Sequence, residues 1–420
     1  MTTAIVLGIA GLLLAIGFLA DFLFRKTSFP DVIILIGLGY LAGPVMGLVH
    51  PDQMTVVSQI VASLTLAIIL FHGGLHLDFA SVLPVVPRAL LLTLLGFGFS
   101  VAAVTAFAYY VMHIELLHGL LLGAIIGGIS SSIVIPMLDR IKVRQEVKSV
   151  LDLESAFTDA LVIVGALVIL QIIATGGAEN SLAAAGQDIA LRFLLGILVG
   201  VVAGILWLWV LARIEGETYD DIMTLAIVFL LFFGVESLGG SGAIFTLTFG
   251  IILGNGVKIA QWIHIRRTVA VHQMMMKFYS EISFLIKTFF FVYLGLLITF
   301  KNPQPLVIGV ILAFILLFSR FFAVLFSTIG NGVLFRSKGI LTTMLPRGLA
   351  AAVVAEMVIS AGIPNARIYS SVVLAVIVST VAISAISVPL FARGAPKEDV
   401  GTVEEKEPTA AIEGSGEHVV

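Results

Sequence analysis

The sequence predicts an all-α polytopic membrane protein of about 13 transmembrane helices, built as two inverted six-helix repeats with broken crossing helices in the fifth and twelfth spans. Three observations predict it. Of 420 residues 59% are apolar and 12% charged, with a mean hydropathy of +1.14, whereas a soluble domain carries about 25% charged residues. Lys and Arg collect in alternate loops. Gly, Ser and Pro interrupt two apolar runs at corresponding places in the two halves.

A span needs roughly 20 apolar residues to cross a hydrocarbon core about 30 Å thick. Divided at charges, prolines and glycine pairs, the chain gives spans near 4–24, 31–49, 55–75, 87–112, 116–138, 148–174, 188–213, 219–238, 241–255, 276–300, 304–328, 337–362 and 367–392. The first has no basic residue before it and no small-residue cleavage site after it, so it is expected to be a retained span. The stretch from Trp262 to Met276 reads as an interfacial helix or the start of a long tenth span. Residues 1–393 form the membrane domain, and 394–420, rich in Glu, Pro and Gly, are expected to be a disordered acidic cytoplasmic tail.

One set of alternate loops and the tail hold 17 basic residues and the opposite set holds 3. Positive charge marks the cytoplasmic side, which places the N-terminus outside and the C-terminus in the cytoplasm of a cell-membrane protein. A seventh, linking span then turns the second six upside down relative to the first. The fifth span carries Gly127-Gly128-Ile129-Ser130-Ser131-Ser132 with Pro136, and the twelfth carries Pro346-Arg347-Gly348. Irregular backbone at membrane depth survives only beside protein or a watery cavity, so the two breaks are expected to cross there. The Gly196, Gly200, Gly204 series in the seventh span reads as helix packing.

With no cysteine in the chain, thiol chemistry, disulfides and iron–sulfur sites are excluded. The net charge of -3 gives no reason to expect nucleic acid as a partner. There is no phosphate loop, HExxH or GxSxG, so the chain is not expected to be an enzyme or to hold a cofactor.

Charges inside a membrane are functional candidates by default. Asp159 lies eleven residues beyond Lys148, about 16 Å deep at a helical rise of ~1.5 Å per residue. One carboxylate that binds either a proton or a metal ion, never both, is the minimum machinery for exchange. The competing reading is an Asp tied to backbone or hydroxyl groups. Ser155 lies one turn earlier on the same face and Thr158 adjoins, while Ser130 and Ser131 come from the broken fifth span. Hydroxyl, carbonyl and carboxylate oxygens are the hard ligands an alkali cation favours; the bland alternative for each Ser is packing or bonding to its own helix.

Glu154, five positions from Asp159, points roughly 140° away from it, so the two are no shared-proton dyad. Arg320 in the eleventh span needs an anion, with Glu154 the preferred partner and Arg347 competing for it. His72, beside Gly73-Gly74, is either a proton sensor or a capped structural histidine. Glu236, Glu281, Lys287 and Glu356 are further charges without an assigned partner.

Taken together, Phe71-His72-Gly73-Gly74-Leu75, Leu153-Glu154-Ser155 with Thr158-Asp159, Gly239-Gly240-Ser241-Gly242, Gly250, Gly254-Asn255, the run Glu281 to Gly295, Arg320 and Pro346-Arg347-Gly348 resemble the monovalent cation/proton antiporters of the NhaP type. The resemblance implies a homodimer in which a core domain moves against a dimerisation domain, Asp159 as the cation- and proton-binding carboxylate, and a Glu154–arginine pair. The transported species would be Na+ or K+, and H+. Three positions depart from the family pattern: Ile129-Ser130 stands for Thr-Asp, Thr158 for Asn, and His72 for Glu. Loss of the fifth-span Asp removes an anchor for the facing helix dipoles. One titratable carboxylate implies electroneutral exchange, with a potassium-preferring exchanger as one alternative and a pore or transport-dead sensor on the same scaffold as another.

Overall fold

The computed structural model describes residues 11, 14–20, 22, 31–47, 55–76, 86–138, 141, 143–174, 182–214, 219–262, 273–297, 303–363 and 366–394. Among them all regular structure is helical. The elements are α1 (Asp31–Tyr40, continued by a π-helical turn Leu41–Val45), α2 (Thr55–His76), α3 (Val86–Tyr110), α4 (Leu116–Gly127), α5 (Ser131–Leu138), α6 (Gln145–Ala174), α7 (Leu182–Ile214), α8 (Asp220–Ser237), α9 (Gly242–Gly254), α10 (Gly256–Trp262), α11 (Gln273–Leu297), α12 (Gln304–Ser327), α13 (Gly332–Arg336), α14 (Lys338–Thr343), α15 (Leu349–Ser360) and α16 (Ala366–Gly394). Among the described residues seven segments are long and apolar enough to cross a bilayer, and four shorter apolar helices accompany them. The first span falls largely outside the described residues; so do the tail and 263–272, where an interfacial helix was one expectation.

Both anticipated interruptions are present. The first helix of the fifth span stops at Gly127, with Gly128 extended at φ −93°, ψ 160°, and α5 restarts at Ser131. Two glycines in succession weaken a helix by roughly 1 kcal/mol each relative to alanine. In the twelfth span α14 ends at Thr343 and α15 starts at Leu349. Pro346 offers no N–H there and disfavours helix at Leu345.

Apolar side chains gather into two clusters. The larger includes Val32, Leu121, Ile125, Val150, Ile163, Phe290, Leu316, Val353 and Ile377 and encloses both breaks. The smaller joins the end of α2 to α7, α8, α9 and the start of α11 through Phe71, Trp207, Val228, Phe249 and Tyr279. The glycine stripe of α7 packs as anticipated: a methyl group at Gly196, Gly200 or Gly204 would meet Ser241, Thr248 or Ile252.

A second close approach was not anticipated. A Cβ on Gly39 would collide with the Val292 carbonyl, and one on Gly295 with that of Ile36. Eight residues earlier on each helix, Lys287 Nζ sits 2.7 Å from Asp31 Oδ2, so α1 and α11 run parallel in backbone contact. Overpacking costs about 1–3 kcal/mol, more where the obstacle is backbone. Gly39→Ala is therefore expected to lower the melting temperature in detergent, whereas Gly37→Ala, where nothing lies within 4 Å, leaves it nearly unchanged.

Candidate functional site

Each break leaves backbone groups without helical partners, and polar groups from neighbouring elements satisfy them. At the first break the Ile129 N–H donates to Thr158 Oγ1 at 3.1 Å. The Thr158 hydroxyl points back at the Ile129 carbonyl, 3.1 Å, and at that of Ser155, 3.2 Å. At the second, Leu345 N–H donates to Ser384 Oγ at 3.3 Å, Arg347 N–H to Thr380 Oγ1 at 3.1 Å, and Ser384 Oγ to the Thr343 carbonyl at 2.9 Å. The breaks also meet directly, because the Ser130 N–H donates to the Pro346 carbonyl at 2.9 Å. This satisfies the rule that non-helical backbone at membrane depth must be paired.

Thr158 is thus a structural stitch, a role its position beside Asp159 did not reveal. Removing a buried hydroxyl that serves backbone groups costs about 1–3 kcal/mol. Thr158→Val is expected to lose that much stability in a thermal melt, with Thr158→Ser recovering most of it.

Asp159 is half-buried on α6. Its Oδ2 accepts from the Ser131 hydroxyl at 2.6 Å and from the Ser131 N–H at 3.1 Å. Ser131 opens α5, so the carboxylate meets the start of the re-begun helix, where N–H groups and the helix dipole favour an anion. Among the described residues Oδ1 makes no hydrogen bond, leaving one oxygen of the carboxylate for a proton or an ion.

The other hydroxyls named from sequence point elsewhere. Ser155, fully buried, donates to the Asp152 carbonyl at 2.8 Å. Ser130 shares a 3.0 Å hydrogen bond with Ser132. Neither bonds Asp159, though a hydroxyl whose proton is engaged still presents oxygen lone pairs. No group of three or more His, Asp or Glu assembles among the described residues.

Glu154 faces away from Asp159 and forms a bidentate pair with Arg320, at 2.7 Å from Nη1 to Oε1 and 2.9 Å from Nη2 to Oε2. Arg320 Nε donates to the Leu341 carbonyl at 2.8 Å. One guanidinium therefore ties α6, α12 and α14 together. Arg347, the competing partner, is 1% exposed and leaves Glu154 to Arg320. His72 Nε2 lies 3.2 Å from Ser280 Oγ, on helices other than those that hold Asp159.

The remaining charges find partners that sequence did not assign. Lys287 pairs with Asp31, 2% exposed; Pro30-Asp31 before an apolar run is a helix-start signature that marked this Asp only as a boundary. Glu236 accepts from Gly242 N–H at 2.7 Å, at the start of α9. Glu356 accepts from Tyr293 and Ser370 hydroxyls, both at 3.2 Å. Glu281 lies at the helix surface, 66% exposed and 3.9 Å from Lys277.

The family described as sodium/hydrogen exchanger, transmembrane, matches residues 11–393. The chain belongs to the sodium/hydrogen exchanger family. This exchanger-family chain is 27% identical over 406 residues to a K(+)/H(+) antiporter, NhaP2, of Shewanella oneidensis, covering 93% of this chain and 67% of that protein. It is 25% identical over 371 residues to Na(+)/H(+) antiporter 1 of Methanocaldococcus jannaschii, covering 85% and 84%. The structure of the sodium proton antiporter MjNhaP1 from Methanocaldococcus jannaschii at pH 8 superposes with a TM-score of 0.78 at 22% identity, covering 94% of this chain and 99% of that one. The all-helical exchanger fold is thereby established, and the NhaP resemblance holds.

Proposed function

We propose that this chain is a secondary transporter that exchanges Na+ or K+ for H+, one for one, by alternating access at Asp159. The observation that carries the reading is the Asp159 carboxylate, held through one oxygen by Ser131 at the start of a broken helix while its other oxygen makes no hydrogen bond among the described residues. A proton and an alkali ion compete for that position. Ser131 holds the carboxylate directly, and Ser155, Thr158 and Ser130, whose hydroxyls hydrogen bond elsewhere, are proposed to offer the ion oxygen lone pairs; Glu154 and Arg320 fix the helix that carries it, and Arg347 and His72 are accessory. With a single titratable carboxylate, each half-cycle moves one positive charge in opposite directions, so the exchange is electroneutral.

The finer architecture belongs to the same proposal. Thirteen spans form two inverted six-helix repeats within 1–393, and 394–420 are a cytoplasmic tail. The N-terminus lies outside, as the 17-to-3 distribution of basic residues supports, and two copies form a homodimer in the cell membrane. A potassium preference is the second reading, favoured by the K(+)/H(+) antiporters among the relatives.

The test uses everted membrane vesicles carrying a pH gradient. Addition of Na+ or K+ is expected to dissipate the gradient, and clamping the membrane potential with an ionophore should leave the rate unchanged. Comparison of Na+, K+ and Li+ gives the preference. Ion flux that leaves an opposing proton gradient intact would instead mark a pore and overturn the exchanger reading.

A further inference from the structure

Arg347 heads the fully buried side chains by volume, at 1% exposure. Its Nε and Nη1 hydrogen bond to nothing among the described residues. The charges that act on it are Arg320 and Glu154, and both Glu154 oxygens are already taken by Arg320. Around Arg347 itself, two guanidiniums therefore stand against one saturated carboxylate, the Asp159 carboxylate of the crossing being engaged at the start of α5. A guanidinium keeps its proton inside proteins. A buried cation without an acceptor costs several kcal/mol, and such a group calls for a partner.

The backbone beside Arg347 adds to the imbalance. It leads into α15, a twelve-residue helix whose N-cap is Gly348 and whose start receives no side-chain cap. The positive end of that dipole is thus open to an anion. The corresponding helix of the other break, α5, meets the Asp159 carboxylate through Ser131. One crossing helix start has its anion, and the other has a stranded guanidinium.

We infer that the Arg347 guanidinium, on the segment that leads into α15, binds a small monovalent anion of the chloride class, at a position separate from the cation position at Asp159. The anion accepts from Nε and Nη1 and neutralises the surplus positive charge of the Arg347, Arg320 and Glu154 set. Residue 130 decides whether it is needed. The Ser130 hydroxyl lies against the Cα of Gly348, where a Cβ would collide with it, and its N–H holds the Pro346 carbonyl. A carboxylate at 130 would stand against the Pro346 and Gly348 backbone that flanks Arg347 and supply covalently the charge that the anion otherwise brings.

The experiment reads stability, so its outcome is independent of whether the chain exchanges cations. The purified protein is melted at constant sodium and constant ionic strength while gluconate is replaced stepwise by chloride. A saturable rise of a few degrees in the melting midpoint is expected, as for any ligand that binds only the folded state. Arg347→Gln should abolish the rise. Ser130→Asp should also abolish it, with the chloride-free midpoint raised toward the chloride-saturated value of the parent. The second variant keeps the test open if Arg347→Gln does not fold. An equal midpoint in chloride and gluconate, meaning that water alone serves Arg347, overturns the inference; so does a chloride response that survives in either variant.

Discussion

Cation-driven proton movement is expected to fall to the background of control vesicles when Asp159 is replaced by Asn, with the protein still folding and inserting. Asn matches Asp in shape, and its side-chain oxygen can accept both Ser131 bonds now made by Oδ2 at 2.6 and 3.1 Å. What disappears is the negative charge and the ability to carry a proton. A neutral amide offers a cation a dipole in place of a full charge, and it has no proton to release in return. On the proposed mechanism transport should be lost because the two loaded states no longer exist, and the melting midpoint is expected to be unchanged or higher, since a charge has been removed from a costly environment. Asp159→Glu keeps the charge but moves it one methylene beyond the reach set by Ser131, so reduced activity is expected. Exchange at the parent rate in Asp159→Asn would show that the working carboxylate lies elsewhere.

Breaking the Glu154–Arg320 pair has the largest expected effect on stability. Both side chains are nearly fully buried, 1% and 3% exposed, and the contact is bidentate, the geometry in which guanidinium and carboxylate bind most strongly. Removing one member of a buried pair costs about 3–5 kcal/mol, because it strands the other charge. Glu154→Ala is expected to be the worse of the two, since it leaves Arg320 and Arg347 together without a carboxylate. In Arg320→Ala, Arg347 remains within electrostatic reach of Glu154 and compensates in part. Joint replacement of Glu154 and Arg320 by apolar residues of similar size should recover much of the loss, as buried pairs seldom add net stability. Thermal melts of the three variants check the order; an Arg320→Ala loss larger than that of Glu154→Ala would contradict the charge balance described for the crossing.

Much of this arrangement is legible in the amino-acid sequence. The segment limits near 87–112, 148–174 and 304–328 fall within a few residues of α3, α6 and α12. The interruptions at Gly127-Gly128 and Pro346 sit where the helices stop. Glu154 matches Arg320 because a lone guanidinium in a membrane demands an anion, and opposite directions on α6 keep Glu154 apart from Asp159. The hydroxyls are harder to place. Four of them lie near Asp159 in sequence or motif, but only Ser131 bonds it. Ser155 and Thr158 turn to carbonyls three residues back on their own helix, an option open to any Ser or Thr in a helix. Which hydroxyl reaches across depends on rotation about the helix axis and on where the broken chain comes to rest, and neither is encoded in spacing.

By itself the sequence determined that the chain lives in a membrane, where several of its long helices begin and end, and where two spans break. Those properties are local: hydropathy sums over about 20 neighbours, and glycine and proline act on the backbone at their own position. Only the tertiary structure decided that Asp31 neutralises Lys287, that Thr158 stitches the first break rather than bonding Asp159, and that Arg347 has two donors unfilled among the described residues. Such pairings join residues far apart in the chain. They are chosen by how closely helices approach, as where Gly39 and Gly295 let two backbones touch, and by which acceptors are already taken once the helices have packed.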